Sequence, residues 1–368
     1  MRTYLRRGLA VAAIAAVALA MTACGKAKES GNSGSTGNVS VSKGFKIGVL
    51  LPENKTARYE KFDLPYLKAD IKKLCPKCTV LYRNALQNAD TQRQQVDSVL
   101  AAGAKVLILD SVNYKSISSS VNKAQSQGVP VIAYDRLATG KIAGYSSFNN
   151  VDIGKLQGTA FLDGLKKGGD PKRGKVILVN GSPDDPNAPD FKKGMHSILD
   201  GKVTVGAEYD TQDWSPDKAR QEVAGAISKI GAKNVIGVYC ANDGMAGGAV
   251  AALKAAGVSG AIVTGQDAEL AGIQRILSGQ QYATIYKAIK PEAQAAAEQA
   301  VAVAQGKKWT GSTDTVNNGD VTVPAAITSA TTVTKDNIES TVVKDGYWKA
   351  SEICTGSYAA ECKSAGVQ

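Results

Sequence analysis

A single histidine, His196, serves the whole chain of 368 residues. One imidazole cannot build a multi-histidine metal site, and it leaves a Ser-His-Asp triad only one base to draw on. No G-x-G-x-x-G follows a strand-like run, so a dinucleotide fold lacks its fingerprint. Gly244, Gly247 and Gly248 open a helix-like stretch at the wrong spacing, and tight helix packing accounts for them better. The run from Gly169 to Gly174-Lys175 imitates a phosphate loop, but Val176 stands at its hydroxyl position and a strand follows where a helix must begin. There is no G-x-S-x-G elbow. No stretch beyond Ala20 is long and apolar enough to span a bilayer. The net charge of +11 comes without any basic run carrying interleaved aromatics. Its lysines are scattered and matched with acids along stretches such as Tyr59–Leu74, so the charge reads as a solvated surface and no nucleic-acid partner is expected.

What is present begins with Arg2, Arg6 and Arg7, then an apolar stretch from Gly8 to Ala20, then Met21-Thr22-Ala23-Cys24-Gly25. That order is a secretory signal over 1–23 with a lipobox-like end, which makes Cys24 the expected lipid-bearing N-terminus. Without the three signal arginines the charge of +11 falls by three to +8. Lys26 to Ser42 is Gly, Ser, Asn and Lys with little that is apolar, so 24–43 is expected to be a disordered tether. The expected location is extracytoplasmic, anchored to the outer face of the cell membrane.

Five cysteines follow Cys24. Cys75-Pro76-Lys77-Cys78 has redox spacing, yet it falls after a helix and before a strand, and a structural disulfide is expected. Cys354 and Cys362 bracket a short tail loop and should pair in an oxidising exterior. Cys240 ends an apolar run and reads as an inert core thiol. His196, on a helix, reads as structural.

From Phe45 onward short apolar runs alternate with helical periodicity. Strands are expected at Phe45–Leu51, Thr79–Arg83, Val106–Leu109 and Val129–Tyr134, each followed by a helix. The alternation resumes with the helix Ile153–Lys167 and continues through strands at Lys175–Val179, Val203–Tyr209, Val235–Tyr239, Ile262–Gly265 and Tyr282–Tyr286. The helix Pro291–Gln305 and the strand Val321–Pro324 complete it. The fold class is α/β: two doubly wound parallel-sheet lobes joined by a three-segment hinge. The expected division is 44–147 plus 282–309 for the first lobe, 148–281 plus 310–350 for the second, and 351–368 for a tail.

Three of these strands end on Ala133-Tyr134-Asp135-Arg136, Ala241-Asn242-Asp243-Gly244 and Gly265-Gln266-Asp267-Ala268. The C-terminal edge of an open α/β sheet is where ligands bind. Carboxylates, amides and a guanidinium suit a neutral polyhydroxylated molecule, whose hydroxyls each donate and accept. Asp135, Asp243 and Asp267 could instead converge for glycoside hydrolysis. Against that, each is flanked by an amide or Arg expected to hold its pKa low, where a general acid needs the reverse. Asp243 could equally be an N-cap.

The chain resembles the D-xylose-binding branch of the bacterial sugar-binding proteins that serve ABC importers, which have the periplasmic binding protein type I fold. The resemblance runs from about Lys46 to Trp348. It rests on Ala133-Tyr134-Asp135-Arg136, Gly181-Ser182-Pro183 with Asn187-Ala188, Asp213-Trp214-Ser215-Pro216, Asn242-Asp243 with Ala246-Gly247-Gly248-Ala249, Gly265-Gln266-Asp267-Ala268-Glu269-Leu270-Ala271-Gly272-Ile273, Tyr286-Lys287 and Asn317-Asn318-Gly319. Tyr59 stands where the family tends to have Trp. The resemblance implies two lobes closing on one monosaccharide, without catalysis, metal or cofactor, in a monomer that passes its ligand to an ABC transporter permease. It implies that Arg58, Asp135, Arg136, Asn187, Asn242, Asp267 and Lys287 hydrogen-bond the sugar while Tyr59 and Trp214 cover its faces. A secreted carbohydrate-active enzyme and a sugar sensor feeding a receptor are the alternatives. A repressor of the same fold would need an N-terminal DNA-binding helix pair where this chain has its lipobox and tether.

Overall fold

The computed structural model describes residues 39–368. The expected signal segment, the Cys24 anchor and all but the end of the tether lie outside the described residues.

The first sheet contains β1 (Lys46–Leu51), β2 (Thr79–Asn84), β3 (Ala104–Leu109), β4 (Val131–Tyr134) and β5 (Gly144–Phe148), and two late strands, β11 (Asp314–Asn317) and β12 (Thr322–Thr328). Their order is β11-β12-β5-β4-β3-β1-β2, with every pair parallel except the β11–β12 hairpin. Successive residues of a strand point to opposite faces. So Val49, Leu51, Val106 and Ile108 meet helices α1 (Leu64–Leu74) and α9 (Ile289–Ala304). Leu50, Leu107 and Leu109 meet α2 (Ala89–Ala101) and α3 (Ser118–Ser126) on the other face.

The second sheet runs β7 (Val205–Asp210), β6 (Lys175–Asn180), β8 (Val235–Cys240), β9 (Ile262–Thr264), all parallel. A bridge from Thr264 to Ala283 extends it to β10 (Thr284–Lys287), which pairs antiparallel with β13 (Ala330–Val333). Around it lie α4 (Asn150–Lys167), α5 (Asn187–Leu199), α6 (Pro216–Ile230), α7 (Asp243–Ala255) and α8 (Leu270–Leu277). Two glycines let α4 and α5 touch backbone to backbone: a Cβ on Gly154 would stand 2.1 Å from the Phe191 carbonyl, and one on Gly194 2.1 Å from that of Val151. Gly248 lets α7 approach the Pro216 carbonyl in the same way, while Gly244 has ordinary clearance.

The chain passes between the sheets three times: from β5 into α4, from β10 into α9, and from β12 into β13. This architecture of two parallel-sheet lobes with a three-segment hinge agrees with the expected fold class. The expected boundaries need correction. The first lobe does not take 282–309 whole, because β10 sits on the second sheet and the crossing comes at Ala288. The second lobe does not take 310–350 whole, because β12 pairs with β5 from Ala325–Tyr145 to Thr328–Phe148 and carries β11 with it. The segment 351–368 is no loose tail. Its helices α10 (Ala350–Ile353) and α11 (Ala359–Ala365) insert Ile353 and Cys362 into the second lobe's core, and Val367, just beyond α11, joins them. Cys75 is joined to Cys78 and Cys354 to Cys362, leaving Cys240 as a buried thiol whose pKa burial raises.

Candidate functional site

Because the strands within each sheet core are parallel, the loops after them gather at one edge of each lobe, and the two edges face each other across a cleft. From the first lobe come Thr56, Arg58 and Tyr59 after β1 and Asp135 and Arg136 after β4. From the second come Asp185, Asn187 and Phe191 after β6, Trp214 after β7, Asn242 after β8 and Gln266 and Asp267 after β9. Lys287 ends β10. The cleft encloses about 320 Å³ counting its open mouth.

Arg58 is buried at the start of the helical turn that leads into α1. Its guanidinium donates to both oxygens of Asp63 (3.0 and 2.7 Å), to Asp135 (2.9 Å) and to Glu292 (3.0 Å). Burial works against its charge, but these three carboxylates outweigh that and raise its pKa further. Asp135 has a left-handed backbone, φ 56°, a geometry that costs a non-glycine residue ~1–3 kcal/mol. Its carbonyl is held there by Tyr145, Ser147 and the Asn187 amide, the last from the opposite lobe. Burial tends to raise the Asp135 carboxyl, yet Arg58, Lys287 and Arg136 together hold it below the usual range. Arg136 reaches Asp185 of the other lobe at 2.8 Å, and its remaining donors meet the Ser111 carbonyl and the Tyr59 hydroxyl.

In the second lobe Asp185 anchors three groups: the Arg136 guanidinium, the Trp214 indole N–H (3.2 Å) and the Asn187 backbone N–H (2.8 Å). Burial draws its carboxyl upward, with Arg136 opposing. Trp214, at φ 54°, packs against Gly181, where a Cβ would come 2.1 Å from the indole. Asn242 caps α7, its side-chain oxygen accepting from Met245 N–H at 2.8 Å. Asp267, at φ 89°, forms an ion pair with Lys287 at 2.9 Å. Burial lowers the Lys287 ammonium, but Asp267 and Asp135 prevail and raise it. The lobes also touch at the rim, where Asn113 donates to Asp184 at 2.6 Å and Lys55 to the Asp213 carbonyl at 3.1 Å.

Three cations (Arg58, Arg136, Lys287) and three carboxylates (Asp135, Asp185, Asp267) therefore line the cleft, with three amides and three aromatic rings. Behind the cleft Asp63 and Glu292 pair with Arg58, and Asp110 lies 3.5 Å from Arg136; burial pushes Asp110 and Glu292 well above the usual carboxylate range. Such a wall offers a neutral ligand paired donors and acceptors and leaves no surplus cation for an anionic one. Among the described residues no cluster of His, Cys, Asp or Glu is arranged to hold a metal.

All nine residues named from the sequence as ligand contacts line this one cleft. Sequence reasoning passed over Asp185 and Phe191, although Asp185 lies between Gly181-Ser182-Pro183 and Asn187-Ala188. Asp243, weighed as a third acid, does not line the cleft. It is no N-cap either, a role Asn242 takes. Its carboxylate is fully buried and accepts from Glu269 N–H (2.9 Å), Gln281 (2.6 Å) and the Thr284 hydroxyl (2.9 Å). The expected low pKa is also overturned: burial pushes it up to about 7. His196 is remote from the cleft and bonds Asp200 and Glu208 at the surface between α5 and β7.

Residues 47–308 match the family model described as a periplasmic binding protein domain. A D-xylose-binding periplasmic protein of Escherichia coli is 35% identical over 318 residues, covering 84% of this chain and 93% of that protein. One of Haemophilus influenzae is 34% identical, covering 83% and 91%. Among solved structures, an ABC transporter solute binding protein from Clostridium phytofermentans with bound beta-D-glucose superposes with a TM-score of 0.77 at 25% identity, covering 84% of this chain and 99% of that one.

Proposed function

The chain belongs to the periplasmic binding protein family and is a binding protein rather than an enzyme, and from that premise we propose that it captures a neutral aldopyranose, D-xylose first, by closing its lobes. The observation that carries this reading is the balanced wall of three buried cations and three carboxylates. It is delivered by strand ends of both sheets and flanked by Tyr59, Trp214 and Phe191. In this reading Arg58, Asp135, Arg136, Asn187, Asn242, Asp267 and Lys287 bond the hydroxyls. Charge-assisted bonds from fixed forks set stereochemical choice. Tyr59 and Trp214 cover the apolar ring faces that axial C–H groups create. Gln266, whose side-chain oxygen is buried without a partner among the described residues, supports a polar ligand too.

The closed protein delivers the sugar to an ABC importer, and Cys24 holds it at the membrane by a lipid anchor. A thermal-shift panel of pentoses and hexoses tests the reading. A sugar present at ~100 times its dissociation constant should add ~2.7 kcal/mol of stability. D-xylose or a close aldopyranose should give the largest shift. No shift with any neutral sugar would refute it.

A further inference from the structure

Asp267 and Ala268 both have left-handed backbones, at φ 89° and 46°. Two such residues in sequence are strained, and the surroundings must hold them. Part of that hold is local: the Asp267 N–H donates to the Ile285 carbonyl (2.9 Å) and the Ala268 N–H to the Thr284 hydroxyl (3.2 Å). The two carbonyls are held from elsewhere. The Tyr347 hydroxyl donates to the Asp267 carbonyl at 3.3 Å, and the Trp348 indole N–H donates to that of Ala268 at 2.8 Å. Both side chains are buried, and neither lines the cleft. They are also held rigidly. Tyr347 stacks on Phe62 at 3.9 Å between ring centroids and leans on Tyr286 at 5.0 Å. Trp348 meets the edge of Phe62, with the Lys61 ammonium 4.0 Å above its ring.

We propose that Tyr347 and Trp348 are positioning residues for ligand binding: the C-terminal segment fastens the two strained carbonyls and so aims the Asp267 carboxylate at the ligand. The proposal rests on the reading of Asp267 as a ligand contact. The balance of the wall depends on that aim, because the same carboxylate fixes Lys287. The geometry has a second consequence. The rings that hold Asp267 pack against Phe62, four residues after Arg58, so contacts from both lobes share one aromatic support.

Two variants separate aiming from folding. Tyr347→Phe removes only the hydroxyl, and Trp348→Phe keeps an aromatic ring but removes the indole donor. With no ligand present, amide hydrogen exchange of the peptide spanning Gly265–Leu270 should quicken in Trp348→Phe while the β8 and β6 peptides keep the parent's rates. Unchanged exchange in that loop would overturn the proposal, whatever the protein binds. With D-xylose and D-glucose as probes, Trp348→Phe should weaken the sugar the parent binds by about fivefold, the scale of one hydrogen bond. Tyr347→Phe should weaken it less. In an Asp267→Ala background the Trp348→Phe effect should shrink toward nothing, because no side-chain acceptor is left to aim. The same fivefold loss in both backgrounds would overturn the proposal by showing a general structural role. A parent that binds neither sugar would count against the functional reading alone, and the exchange result would still decide the aiming.

Discussion

Replacing Asp243 by Asn should change how stability responds to pH, and the sign follows from the structure. The carboxyl is fully buried beneath the Asp267 loop, and burial raises its pKa from 3.8 to about 7, with Arg275, Gln281 and Thr284 opposing. A group raised in the folded state contributes stability that is fully present below its unfolded pKa. That contribution is lost as pH rises through the folded value. The window is therefore about pH 4 to 7. Each pH unit well inside it is worth ~1.4 kcal/mol, and the slope halves by pH 7, so between pH 5 and 7 the parent should lose about 2 kcal/mol from this residue alone. Asn is nearly isosteric with the protonated acid and does not titrate. Its oxygen can accept from Glu269 N–H and Thr284, but its amide would face the Gln281 amide, whose oxygen already accepts from Arg275 at 3.0 Å. That conflict costs about one hydrogen bond, ~1 kcal/mol. Asp243→Asn should thus be slightly less stable than the parent at pH 5 and more stable at pH 7.5. Chemical denaturation of both proteins across pH 4.5–8 would show the two curves crossing. Parallel curves would mean that Asp243 is ionised throughout, and the argument from burial would fail.

Three further outcomes concern the cysteines. Peptide mapping without reductant should recover Cys75 bound to Cys78 and Cys354 bound to Cys362, with Cys240 alkylated only after unfolding; Cys354→Ser should cost ~2–3 kcal/mol by loop-closure entropy, less if the reduced tail stays docked. Cys24→Ser should move the protein from the membrane fraction to the soluble exported fraction, and full membrane retention would contradict the anchor.

The sheet cores were legible because their strands are apolar runs, three of which end on a carboxylate beside an amide or a guanidinium. Such a pattern marks both a buried strand and its functional end, and it located Asp135, Arg136 and Asp267 before any geometry was known. β5 was not legible. Its Gly144-Tyr145-Ser146-Ser147-Phe148 has no apolar run, because the serine hydroxyls are spent on the Glu292 and Asp135 carbonyls. Without β5 as a partner, the late strands β11 and β12 had no sheet to join, and the lobe boundary went wrong with them. Asp185 was missed for a related reason. It follows its strand by five residues inside a turn rich in Pro and Asp, and only the fold brings it to Arg136. The pKa of Asp243 inverted the expectation because flanking residues in sequence say little about burial.

The central claim is that both lobes grip one neutral sugar, with Arg136 acting from the first and Asp267 from the second. Titration calorimetry of the parent, Arg136→Ala and Asp267→Ala against D-xylose and related aldopyranoses tests it most directly. A hydrogen bond to a charged group is worth ~1.5–3 kcal/mol, so each variant should bind at least about tenfold more weakly while remaining folded. A parent that binds the sugar, with both variants binding it equally well, would contradict the account.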